Sequence, residues 1–288
     1  MKTHNMEMSL ARPSLKVAVL LPFLLLLLCT CAPDTKKPEV AKLSTEQEKR
    51  IRTSIQSMFP GAVTFEQYTD SLLFFLYAVH KIKPETILLG QSTCVDDVLN
   101  TKSPFSEHMV KGPFNFGGLG GYPFTGLTGL SAYAHHVPDS GAALLLVGPH
   151  IGYSEESGWG MLHREGQEET TTCCGALVAA LTKLQNNQIR KQEPREPDYQ
   201  EQMLEQLALQ HKGEILSSKV PLVTLTKLLN KEIERVMQEL PRHEVHYRYV
   251  ITVVGVIINV DFGFPDYIWV EQMSIYDLQT DQFLQVME

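Results

Sequence analysis

The chain is 288 residues long, with 43% hydrophobic and 20% charged residues, which excludes a disordered or fibrous protein and leaves room for one large or two modest domains. Its formal net charge is -8 and it has no long basic run. This argues against a groove that tracks phosphates, so nucleic acid is not a predicted partner.

Residues 17–28 form an apolar run broken only by Pro22, preceded by Lys2, Arg12 and Lys16 and followed by Cys29-Thr30-Cys31. The run falls short of the ~20 residues that a membrane-spanning helix needs. Residues 1–31 therefore read as an export signal and 32–43 as a polar tether. Leu28-Cys29-Thr30-Cys31 resembles a bacterial lipoprotein cleavage box. Two outcomes stay open there: lipidation of Cys31, which would anchor the mature chain to a membrane, or simple cleavage. Either way the protein is expected outside the cytoplasm. Of its five cysteines, too few for a disulfide-built scaffold, Cys94, Cys173 and Cys174 must then be metal-bound, paired or buried to escape oxidation.

Ser44 and Gln47 have capping-box spacing and predict a helix to about residue 59; Thr64 and Gln67 repeat that spacing ahead of Leu72, Leu73, Leu76 and Val79. Residues 86–90 and 142–147 are short apolar runs of the buried-strand kind, the first followed by Cys94 and the second by Gly148-Pro149-His150. Between them, residues 114–124 are rich in glycine and aromatics and read as shaped backbone rather than a regular helix. A helix is predicted over 176–184, with Cys174 near its N-terminus. A polar connection with Pro194 and Pro197 follows, then amphipathic helices over 199–211 and 222–240, the last stopped by Pro241. Residues 247–261 and 267–276 read as strands joined through Gly263-Phe264-Pro265. The alternation predicts an α/β protein with a largely parallel central sheet flanked by helices, one domain over 44–288.

In open α/β sheets ligands collect beyond the carboxyl ends of strands, where Cys94 and His150 are expected. With a thiol from Cys173 or Cys174 they make a three-ligand set of the catalytic zinc type, leaving a fourth position for water or for Asp96. The spacing is unlike a zinc finger or ribbon. Three plainer readings stand beside it: a buried Cys94, a His150 that only bonds a loop carbonyl, and a Cys173-Cys174 pair that packs against the sheet. A thiol-redox role is opposed by the absence of C-x-x-C spacing. The glycine run lacks the Gly-Lys-Ser/Thr of a phosphate loop, and Gly118-x-Gly120-x-x-Pro123 lacks the third glycine of a dinucleotide fingerprint. Leu119, Tyr122 and Phe124 would either line an apolar pocket or pack in the core. His135 and His136, being adjacent, are poor joint ligands, though one of them could shuttle protons. Asp97 reads as solvated or structural.

The stretch over residues 117–129, followed by His136-Val137-Pro138-Asp139, Gly148-Pro149-His150-Ile151-Gly152 and Cys173-Cys174-Gly175-Ala176, resembles the limiting-CO2-inducible protein B/C family, which includes the theta-class carbonic anhydrases. The resemblance implies a beta-carbonic-anhydrase-like fold that forms a homodimer. It implies zinc held by Cys94, His150 and Cys174, with Asp96 following the first cysteine, and interconversion of carbon dioxide and bicarbonate through a zinc-bound hydroxide. In that family an Arg holds the Asp away from the metal. Here Ser106, Glu107 and His108 stand where that Arg is expected, and Arg164 is the sole arginine between Arg52 and Arg190. Arg164 is therefore the candidate partner of Asp96. Lys102 or Lys111 would lack the bidentate fork. The alternative is a catalytically inactive, zinc-containing member acting as a structural or interaction protein, with Asp96 closing the fourth position.

Overall fold

The computed structural model describes residues 45–99, 104–190, 197–238 and 246–287. The export signal, the tether, Cys31 and Lys102 lie outside the described residues. Helix α1 (Thr45–Met58), the short strand β1 (Val63–Thr64) and helix α2 (Phe65–His80) come first. The Thr64 hydroxyl oxygen accepts the Gln67 N–H at 3.3 Å and caps α2, so one orphan donor of the first turn is satisfied.

Strands β2 (Ile87–Ser92), β3 (Lys111–Asn115) and β4 (Ala142–Val147) follow, with helix α3 (Gly126–Ala134) between β3 and β4. The chain then forms β5 (His150–Ser154), β6 (Gly158–Trp159), β7 (Met161–Leu162) and β8 (Thr171–Thr172), before helices α4 (Gly175–Gln185), α5 (Tyr199–Gln210), α6 (Lys212–Ser217) and α7 (Pro221–Gln238). Strands β9 (Tyr249–Val260), β10 (Tyr267–Asp277) and β11 (Gln282–Phe283) close the fold. The main sheet runs β1-β10-β9-β4-β2-β3. Its β9-β4-β2-β3 part is parallel, and β10 adds an antiparallel strand beside β9, with β1 and β11 pairing antiparallel to its outer side. Helices α3 and α6 and strand β3 were not expected from the sequence: glycine and proline obscure the period of β3 and α3, and α6 is too short to display one.

Every residue of β4 is buried, as for a parallel strand covered on both faces. Ala143, Leu145 and Val147 join the core with Ile55, Leu177, Leu204 and Leu229 of α1, α4, α5 and α7. Ala142, Leu144 and Leu146 join a second core with Leu72 and Leu76 of α2. The period of two thus sorts the strand between two helical layers.

The sequence places His150 just past the end of a strand, and here the structure differs. Along β9, Val147 pairs with Val254 and His150 with Ile257, so β5 continues β4 in the same register after an interruption at Gly148-Pro149. The interruption is steric. Gly148 has φ +147, and a Cβ there would lie 1.8 Å from the Gly255 carbonyl oxygen on β9, a contact no side chain tolerates. Neighbouring β2 stops at Ser92, opposite Val147, so His150 opens a strand beside the place β2 has just vacated.

Candidate metal centre

Cys94 enters that vacated place, buried, and the glycine-rich segment wraps it. The Gly120 N–H donates to Cys94 Sγ at 3.3 Å, and Ser92 Oγ donates to the Gly121 carbonyl at 2.9 Å. Gly121 (φ +81) packs against the Gly148 carbonyl so closely that a Cβ would lie 2.3 Å from its oxygen. Leu119 and Tyr122 pack against the core that includes Cys94, and Phe124 lies tilted against Tyr122 and edge-on to Tyr199. Core packing is thus the role Leu119 and Tyr122 show, and Phe124 is half-buried among aromatic rings.

Cys174 is the N-cap of α4 with no side-chain capping bond, so its sulfur stands at the positive end of the helix dipole. Its Sγ lies 3.6 Å from Cys94 Sγ. Cys173 turns the other way, with Sγ 3.6 Å from Nδ1 of His150. His150 is fully buried; Nδ1 lies 2.8 Å from Asn259 Oδ1, and Nε2 has no hydrogen-bond partner. Asn259 Nδ2 donates to Asp266 Oδ2 at 3.0 Å, and the Val260 N–H donates to Asp266 Oδ1 at 3.0 Å. Sequence reasoning missed Asn259 and Asp266, because a polar residue in an apolar strand and an acid in a turn carry no metal-site spacing.

Among the described residues, donor atoms of Cys94, His150 and Cys174 lie within 4.8 Å of one another, as do those of Asp96, His150 and Cys173. The first set fits a metal better. Zinc–sulfur bonds of about 2.3 Å at tetrahedral angles separate two sulfurs by about 3.8 Å, close to the 3.6 Å observed. The second set places Cys173 on the Nδ1 side of the imidazole, which Asn259 already occupies.

The cluster is electron-rich. The neighbouring Cys174 thiol, with His150, holds Cys94 down to about 4 against the opposing effect of burial. Hydrogen bonding to Cys94 and burial push Cys174 up in turn. Burial opposes a charge on His150, but Cys174, Cys173 and Cys94 outweigh it and raise the imidazole well above its ordinary value. A buried thiolate beside a proton-retaining imidazole is a donor set that exchanges protons for a cation.

Asp96 stands at the rim, with Oδ2 3.8 Å from His150 Nε2. Arg164, from the loop between β7 and β8, brings Nη2 to 3.1 Å from Asp96 Oδ1 and Nε to 3.3 Å from Asp97 Oδ1. Its Nη1 donates to the Thr171 hydroxyl and to the Thr172 carbonyl, the latter at 3.2 Å. Burial works against ionisation of Asp96, but Asp97, His150 and Arg164 together lower its pKa. Lys111 pairs with Leu88 at the far end of β2 and is exposed. His135 and His136 are exposed where α3 runs toward the amino end of β4, so neither sits with the cysteines. A cleft of about 510 Å³, lined among others by Asp97, His163, Arg164, Glu165 and Asn259, opens beside the cluster.

A profile of the limiting CO2-inducible proteins B/C beta carbonic anhydrases matches residues 62–277. The crystal structure of PtLCIB4, a homolog of the limiting CO2-inducible protein LCIB, is similar at 28% identity and TM-score 0.69, over 82% of this chain and 100% of that one. The limiting CO2-inducible protein LCIB is similar at 17% identity and TM-score 0.57, over 80% and 96%, a likeness of fold alone. A search of curated protein sequences finds no match. With the matched region spanning β1 to β10, the glycine-rich loop and every residue of the cluster, the chain belongs to the limiting CO2-inducible protein B/C family and has its beta-carbonic-anhydrase-like α/β fold.

Proposed function

We propose that the protein is a zinc carbonic anhydrase that interconverts carbon dioxide and bicarbonate, with Cys94, His150 and Cys174 holding the metal. The observation that carries the reading is the buried, unpartnered Nε2 of His150 beside two sulfurs spaced for a tetrahedral ion. Zinc in such a site supplies Lewis-acid chemistry that brings the pKa of a bound water toward neutrality. Asp96, kept ionised, accepts a hydrogen bond from the attacking water and orients it. Arg164 is a positioning residue that holds the Asp96 carboxylate outward. The neighbouring cleft, lined by Asp97, Arg164 and Glu165, is the proposed route by which the released proton would reach solvent. Export by the leader, followed either by lipidation of Cys31 or by simple cleavage, and a homodimer belong to the same proposal; acyl labelling and light scattering test them.

A second reading, a catalytically inactive member with a structural or interaction role, is favoured by one distance. Asp96 Oδ2 is 3.8 Å from His150 Nε2, so a small rotation of the carboxylate would close the fourth position. The test is stopped-flow carbon dioxide hydration on protein of measured zinc content. Hydration that disappears in Cys94→Ser and His150→Ala supports the enzyme. Full zinc occupancy without hydration supports the inactive member.

A further inference from the structure

A buried imidazole presents a lone pair on one nitrogen only when something fixes the proton on the other. His150 Nδ1 faces an amide, and an amide can offer either its oxygen or its NH2 at 2.8 Å. Asp266 makes that choice. A carboxylate only accepts, so Asn259 must point Nδ2 at Asp266 Oδ2 and turn Oδ1 to the imidazole. The direction of the whole chain of bonds is set from Asp266 outward.

The fold holds Asp266 in turn. Asn259 and Val260 end β9, Asp266 immediately precedes β10, and the intervening turn folds the carboxylate back onto the Val260 N–H at 3.0 Å. Cys173 Sγ, 3.6 Å from Nδ1 and 3.9 Å from Asn259 Oδ1, closes the same side. We infer that Asn259 and Asp266 form a positioning relay that keeps a proton on His150 Nδ1 and so commits the Nε2 lone pair to the metal. The relay rests on the zinc reading above. It gives the β9–β10 turn, remote from the glycine-rich and cysteine motifs in sequence, control of the site's metal affinity.

The experiment is a zinc competition titration of the full chain against a chromophoric chelator, with a nitrogen-edited NMR spectrum of the zinc-loaded protein to follow the imidazole Nδ1–H. Asn259→Leu and the isosteric Asp266→Asn are expected to weaken zinc binding by about 10–100-fold, the range for removing a partner of a ligating histidine. The exchange Asn259→Asp with Asp266→Asn, which keeps an acceptor for Nδ1 and leaves a donor facing it where the Asn259–Asp266 bond was, is expected to bind close to wild type. The protected Nδ1–H signal is expected in wild type and in the exchanged pair and lost in Asn259→Leu. Should Asn259→Leu fail to fold, Asp266→Asn decides. Unchanged affinity in both weakening variants overturns the relay while the zinc site stands. A wild-type chain that takes up no zinc overturns the zinc reading and the relay with it.

Discussion

Arg164 reaches Asp96 through a single nitrogen: Nη2 lies 3.1 Å from Oδ1 and 3.4 Å from Oδ2. The rest of the guanidinium is spent on Asp97, Thr171 and Thr172. The two side chains retain only 13% and 14% exposure, so their attraction is less screened than that of a surface pair. The rigid planar fork is what lets one residue tie the Asp96 segment to the β7–β8 loop.

Arg164→Ala is therefore expected to keep zinc and to slow carbon dioxide hydration by about 10–100-fold, as loss of an outer partner of a metal site does. Arg164→Lys is expected to recover part of the rate, because one ammonium can meet Asp96 but cannot also serve Thr171 and Thr172. Stopped-flow rates indistinguishable from wild type at equal zinc content would remove Arg164 from the mechanism.

The two adjacent cysteines are expected to behave differently. Cys174→Ser, like Cys94→Ser and His150→Ala, should leave folded protein with far less than one zinc per chain by plasma mass spectrometry. Cys173→Ser should retain the metal, since its sulfur lies on the Asn259 side of the imidazole. The reverse pattern would exchange the third ligand.

Gly148→Ala is expected to destabilise the protein by roughly 3 kcal/mol, from the strained φ and the overlap with β9 together. Urea unfolding measures it. A loss under about 0.5 kcal/mol, the level of an ordinary surface substitution, would mean that the β4–β5 interruption is not set by this contact.

Asp266 supplies a pH dependence. Burial raises its carboxyl from 3.8 to about 6, so between those values the folded chain holds a proton that the unfolded chain has released. Stability then falls as pH rises through this window, and the loss is complete above pH 6. Relative to Asp266→Asn, wild type should lose roughly 3 kcal/mol between about pH 3 and pH 7, at 1.36 kcal/mol per pKa unit. Denaturant unfolding of both chains at the two pH values reads the difference, and parallel curves would contradict it.

Local pattern alone determined a good part of this molecule. The apolar run of β4, the Thr64 cap of α2, the helix beginning after Cys174 and the amphipathic α7 are each written in a few neighbouring residues, as are the motifs around Cys94 and His150. Glycine and proline in β3 and α3 interrupt the periodicities that reveal such elements, so those two stayed hidden. Tertiary structure decided what the site is made of. That Arg164 meets Asp96, that Cys174 rather than Cys173 faces Cys94, and that Asn259 stands behind His150 all follow from strand register and loop path. The β4–β5 line and β9 share one register across Gly148-Pro149, and a slip of one residue would turn Asn259 to the opposite face. Such contacts join residues far apart in the chain, and spacing in sequence carries no record of them.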